Sequence, residues 1–140
     1  KQLSLVSGVF ILQILVYFHG TLLAQQLNKK TFKKTFMEAA TKCSREVGTP
    51  SAMSVTYLTR PENTDRNSKC FTHCLLNKFN MMNKQGKFDQ NSIRTFLNGI
   101  PTSRFKDSLN RNLPACLQEN DSDPCDKGYK FIQCFYRRGS

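Results

Sequence analysis

The chain has 140 residues, with 21 Lys and Arg against 10 Asp and Glu for a formal charge of +11, six Cys, two His and no Trp. That length fits one domain, and no GxSxG, HExxH, P-loop or dinucleotide-type glycine pattern occurs in it. With so few histidines, a Cys/His hydrolase or a multi-histidine metal centre has almost no ligands to draw on. The chain therefore reads as non-catalytic, without cofactor or metal.

Lys1 is followed by a stretch without charge, LSLVSGVFILQILVYF, and then by a small residue at Ala24. A basic start, an apolar centre and a small residue predict a secretory signal peptide over 1–24, cut between Ala24 and Gln25. The alternative is a membrane anchor, but the unbroken apolar run is nearer ten residues than twenty, which is short for a span. Residues 25–140 then form one exported domain. Its charge is 20 minus 10, or +10, and its one histidine is His73.

Within that domain five residues are Val or Ile and nine are Phe, and no two-residue alternation occurs, which argues against sheet. Residues 28–45 place Phe32, Phe36, Ala39, Ala40 and Cys43 on one stripe, with Lys29, Lys30, Lys33 and Lys34 largely off it. This predicts an amphipathic helix with a basic flank, ended by Gly48, Thr49 and Pro50. A short second helix is predicted over 51–59, pairing Met53 with Tyr57, and Pro61 stops it. Residues 61–68, PENTDRNS, read as a polar loop.

The clearest period spans 69–83, through Cys70, Phe71, Cys74, Leu75, Lys78, Phe79 and Met82, with Gly86 as the stop. Asp89 caps a short helix carrying Ile93, Phe96 and Leu97, which Asn98-Gly99 ends. Thr102 starts another, with Phe105, Leu109, Leu113 and Cys116 as its stripe. Pro114 is predicted to kink it or end its first part. Residues 118–123 read as loop. Asp123-Pro124 then signals a helix start, and the last helix carries Cys125, Tyr129, Phe131, Ile132, Cys134, Phe135 and Tyr136. Arg137 and Arg138 suit its C-terminal dipole.

The six cysteines lie after the leader, so three disulfides are expected, with 15 possible pairings. Cys70 and Cys74 leave one helical face side by side, which disfavours a bond between them. A zinc site at Cys70, His73 and Cys74 is the weaker alternative in an exported chain.

The intervals between cysteines are 26, 3, 41, 8 and 8 residues. This spacing, with the phrases CFTHCLLNKF and DPCDKGYKFIQCF, resembles the insect odorant-binding proteins of the pheromone-binding and general odorant-binding type over residues 28–136. The resemblance implies an all-α fold of six disulfide-bridged helices around an internal apolar cavity. It implies the pairs Cys43–Cys74, Cys70–Cys125 and Cys116–Cys134, and reversible binding of small lipophilic molecules such as odorants or pheromones. For the cavity wall, helical phase nominates Leu75, Phe79, Phe88, Ile93, Phe96, Phe105, Leu109, Phe131 and Phe135. Tyr57, Tyr129 or Tyr136 would supply one polar anchor.

The charge of +10 departs from the acidic or neutral members of that family. It admits a second reading, a basic secreted effector on the same scaffold acting on anionic membranes or host molecules. No nucleic-acid motif is present. Expected partners are the small hydrophobic ligand, with a chemosensory receptor or an anionic surface beside it, on a monomer or weak homodimer. Six residues follow Cys134, so the long acid-driven tail of some family members is not expected. Asn120-Asp121-Ser122 is a glycosylation pattern for which little occupancy is expected.

Overall fold

The computed structural model describes residues 2–49 and 65–139, with side chains withheld at 2–10, 18 and 21–28. Among the described residues the chain forms five helices and no strand: α1 (Gln2–Val47), α2 (Arg66–Lys78), α3 (Gln90–Gly99), α4 (Arg104–Cys116) and α5 (Pro124–Gly139). The fold is all-α. The expected helix over 51–59, and Tyr57 with it, lie outside the described residues.

Helix α1 is the largest departure from the sequence reading, which began it at residue 28. No proline occurs before Pro50, so the apolar N-terminal stretch and the amphipathic stretch join into one helix of 46 residues, about 69 Å long at 1.5 Å per residue. Ile11, Leu12, Ile14, Leu15, Val16 and Tyr17 are each more than half exposed. No described helix is long and apolar enough to cross a membrane.

Helix α2 starts at Arg66, earlier than expected. Asp65 is its cap: its carboxylate accepts from the Ser68 backbone N–H and hydroxyl, both at 2.8 Å, and these bonds hold its pKa below the ordinary carboxylate value. The helix also stops early. Asn80 takes a left-handed conformation, φ 57°, which Asn tolerates better than most residues. Residues 79–89 then fold back as a turn, pinned by a bridge between Met82 and Phe88. Gly86 sits in that turn at φ 84°. A Cβ there would lie 3.3 Å from the backbone of Pro124, so glycine is required twice over.

Asp89 caps α3 through the Ser92 N–H. Ser103, not Thr102, caps α4 through the Lys106 N–H. Pro114 neither ends nor divides α4, which continues to Cys116; the carbonyl Pro114 leaves without its helical donor belongs to Asn110, an exposed residue. Asp123 accepts from the N–H groups of Cys125 and Asp126 and so opens α5.

Three disulfides tie these helices together: Cys43–Cys74 joins α1 to α2, Cys70–Cys125 joins α2 to α5, and Cys116–Cys134 joins α4 to α5. Their separations of 31, 55 and 18 residues correspond to about 3–4 kcal/mol each in the chain-entropy picture. No cysteine is free. Where α2 meets α5 the helices approach closely. The Cα atoms of Cys70 and Cys125 are 4.5 Å apart, and a Cβ on Gly128, nearly one turn along, would lie 3.1 Å from Leu76 Cδ1. Arg66 pairs with Asp123 at 2.7 Å, and Lys69 with Asp126 at 3.0 Å, across the same two helix starts.

The core has two parts. Ala40, Cys43, Phe71 and Leu75 form one, between α1 and α2. Leu76, Met82, Ile93, Leu97, Leu113 and Phe131 belong to the other, among α2–α5. Phe79 packs against both.

Candidate functional site

Between the two parts of the core lies a cavity of about 700 Å³. All five described helices contribute to its wall. Phe32 and Phe36 come from α1, and Thr72, Leu75 and Leu76 from α2. Phe79 and Met81 follow in the turn, and α3 adds Ile93, Phe96 and Leu97. Ile100 connects to Arg104, Phe105, Ser108 and Leu109 of α4, and α5 closes the circuit with Phe131, Ile132, Phe135, Tyr136 and Gly139.

The aromatic residues touch one another around this wall. Phe36 stacks on Phe79 with ring centroids 6.2 Å apart, and Phe79 meets Phe96 at 4.8 Å. Phe96 meets Phe32 at 5.6 Å, and Phe131 presents its edge to Phe135 at 5.0 Å. Rings in such offset and edge-on pairs keep attractive contacts even where one face looks onto empty space.

Eight of the nine nominated wall residues line the cavity: Leu75, Phe79, Ile93, Phe96, Phe105, Leu109, Phe131 and Phe135. Phe88 does not. Residues 82–88 form a bridged turn, so helical phase gives no guide to its direction. Its ring packs on Phe131 at 4.7 Å under the ammonium of Lys127. Tyr129 also departs from expectation: it is buried off the wall, and its hydroxyl accepts from Gln133 at 2.7 Å. Tyr136 is on the wall, and burial raises its phenol pKa, so it stands there protonated at neutral pH.

Sequence reading placed Phe32 and Phe36 on the inward stripe of α1 without assigning them to the site. It overlooked Thr72, Leu76, Met81, Leu97, Ile100, Arg104, Ser108, Ile132 and Gly139. The aromatic stripe of α1 is a usable signal for the first two. Arg104 carries none, because a charged residue at a helix start ordinarily reads as surface.

The wall offers little chemistry. Its hydroxyls are Thr72, which donates to the Ser68 carbonyl at 3.2 Å, Ser108 and Tyr136, and its charged residue is Arg104. His73 lies off the wall, half-buried, and its Nε2–H donates to the Asn83 carbonyl at 3.0 Å. No cluster able to hold a metal ion occurs among the described residues. Nothing on the wall pairs a nucleophile with a base, so the arrangement suits enclosure of an apolar molecule.

The cations are divided. Lys78, Lys130 and Arg137 pair with Glu46, Asp121 and Glu119. Lys29, Lys30, Lys33 and Lys34 are all exposed on α1, with Lys34 4.0 Å from Glu38. At 100° per residue they share an arc of about 140° that adjoins the Phe32 and Phe36 stripe, with Lys29 about 20° from Phe36.

Three comparisons bear on this geometry. General odorant-binding protein 57c of Drosophila melanogaster is 35% identical over 75 residues, which cover 52% of this chain and 46% of that protein. The chain thus spans less than half the length of this relative. An odorant-binding protein of Locusta migratoria, solved by crystallography, superposes with a TM-score of 0.64 at 23% identity, covering 75% of this chain and 79% of that one. A second, from Drosophila melanogaster, gives 0.59 at 20% identity over 80% and 93% of the two chains. At these identities the two structures show the shared fold. The model of the PBP/GOBP family matches residues 25–138, and on that match, over most of its length, the chain belongs to the PBP/GOBP family.

Proposed function

We propose that the protein is a secreted, non-catalytic carrier that binds small hydrophobic ligands reversibly in the cavity. The observation that carries this reading is the hollow itself, about 700 Å³ with an almost wholly apolar wall, within the size range of small-molecule sites. The ligand class is odorants, pheromones or similar lipophiles, in keeping with the family and with the names of the similar proteins. The eight nominated wall residues are the proposed contacts.

In the same reading residues 1–24 are a leader. Two observations support it: the family match begins at residue 25, and the apolar side chains of 11–17 have no buried surface to join. N-terminal sequencing of protein secreted from cells expressing the whole chain should begin at Gln25. A fluorescent apolar probe should bind that secreted protein with micromolar affinity and be displaced by mid-sized lipophiles. Phe96→Ala or Phe131→Ala should shift that affinity while the oxidised fold survives. Wild-type binding in every such variant would place the ligand elsewhere.

The arc of exposed lysines on α1 favours one second reading, attraction to anionic membranes or acidic host molecules. Co-sedimentation with phosphatidylserine vesicles at physiological salt tests it, and loss of pelleting in Lys29→Gln/Lys30→Gln/Lys33→Gln/Lys34→Gln would support it.

A further inference from the structure

Apart from Thr72, whose hydroxyl is bonded to the Ser68 carbonyl, the polar groups of the cavity wall gather at one end. There α4 begins and α5 finishes, and Arg104, Ser108 and Tyr136 lie on the wall together. Arg104 and Ser108 are four residues apart on α4, so they share a helical face. Gly139 brings the end of α5 against them: a Cβ on it would lie 3.4 Å from Ser108 Oγ.

Arg104 has no structural reason to be there. It lines the cavity yet is exposed, which places it at the mouth. It forms no ion pair with any described carboxylate, including Asp107 one turn along. As the first residue of α4 it also opposes the helix dipole, which favours anions at that end. Ser108 accepts from the Asn112 amide at 3.3 Å, and its own hydroxyl proton has no acceptor among the described residues. The site therefore combines a planar cationic fork, a free hydroxyl donor and a protonated phenol above a deep apolar hollow.

We infer that the cavity selects lipophiles with a carboxylate head, of the fatty-acid type, over neutral lipophiles of the same length. The chain lies in the hollow, and the head meets the Arg104 guanidinium at the mouth, with Ser108 donating a second hydrogen bond. Charge-assisted bonds of this kind are the stronger ones. This inference rests on the carrier reading and specifies its ligand.

The test uses protein secreted from cells expressing the whole chain, with N-phenyl-1-naphthylamine as the displaced probe at pH 7.4. Dodecanoic acid is compared with dodecan-1-ol and methyl dodecanoate. The acid should compete about tenfold better than either, equivalent to ~1.4 kcal/mol. The margin should narrow in 0.5 M salt, since a mouth cation is screened. Arg104→Gln should remove most of the margin, and an unchanged far-UV circular dichroism spectrum shows that the variant is folded. Arg104→Lys should keep part of it. Equal competition by acid and alcohol, or a margin that survives Arg104→Gln, overturns the inference and leaves the carrier reading intact. If neither the probe nor any competitor binds, both are overturned.

Discussion

Phe79 and Phe105 both line the cavity, yet their deletion should have very different consequences for stability. Phe79 is half-buried and joins the two parts of the core, with rings at 6.2 Å on Phe36 and 4.8 Å on Phe96. Two aromatic pairs contribute about 0.5–1.5 kcal/mol each. Half of a phenylalanine's burial adds roughly 1 kcal/mol. Phe79→Ala should therefore cost about 3 kcal/mol. The figure falls at the low end for Phe→Ala, because part of the ring already faces empty space. Phe105 is 61% exposed, and Phe105→Ala should cost under ~0.5 kcal/mol, as ordinary surface changes do. Urea titration of the oxidised protein, followed by far-UV circular dichroism, measures both. Probe binding on the same samples should change in both variants. If Phe105→Ala destabilises as much as Phe79→Ala, the division into joining ring and mouth residue is wrong.

Four further outcomes are expected. Gly86→Ala should lose about 2 kcal/mol, since the left-handed backbone and the Pro124 contact both penalise a Cβ; equal stability would show that the turn can relax. Arg66 holds Asp123 down to about 2, below its ordinary 3.8; the stability from this pair is present above pH ~4 and lost as pH falls towards 2, so Asp123→Asn should flatten the stability profile in that window. With those titrations far below, ligand affinity should change less than about threefold between pH 7 and 5.5 (~0.6 kcal/mol), and a tenfold loss abolished by His73→Gln would make His73 a switch. Asn120 is exposed, but the acidic residue after it and the nearby Pro124 should keep its glycan occupancy low, which a mass shift on glycosidase treatment would contradict.

Much of the frame is readable without coordinates because its signals are local. Asp89 and Asp123-Pro124 announce their helices through cap chemistry that depends on three or four neighbouring residues. The cysteine intervals, matched to a family, give the bridges. Asp65 escaped because a cap inside a polar run, PENTDRNS, looks like any other loop residue. The end of α2 was misplaced because Met81 and Met82 continue the apolar pattern while the backbone at Asn80 has already turned. Phe88 fails for the same reason, since phase has no meaning past the last helical residue. The wall is harder still. Phe32 and Phe36 are plainly inward-facing, but whether an inward side chain meets another helix or a void depends on how five helices meet. Arg104 is the extreme case, its role set by the end of α5, more than 30 residues away.

The bridges also distribute rigidity unevenly around the cavity. A sealed, empty void of about 700 Å³ would cost on the order of 17 kcal/mol at ~24 cal/mol per Å³, more than the whole stability of an ordinary domain. The mouth at Arg104 and Phe105 lowers that cost by admitting solvent, and the ring contacts retain part of the lost dispersion. Three walls are locked besides: α1 to α2, α2 to α5, and α5 to α4. Helix α3 carries no cysteine. Ile93, Phe96 and Leu97 stand on the wall from a ten-residue helix, fixed by packing and by one Asp89 cap. Ligands of different shape are thus accommodated most cheaply by moving α3. Hydrogen exchange followed by mass spectrometry should show the α3 amides opening at lower free energy than those of α2 and α5 in the free protein. Adding ligand should protect α3 more than either. Uniform protection across the helices, or a ligand effect confined to α5, would mean that the cavity adapts by some other wall.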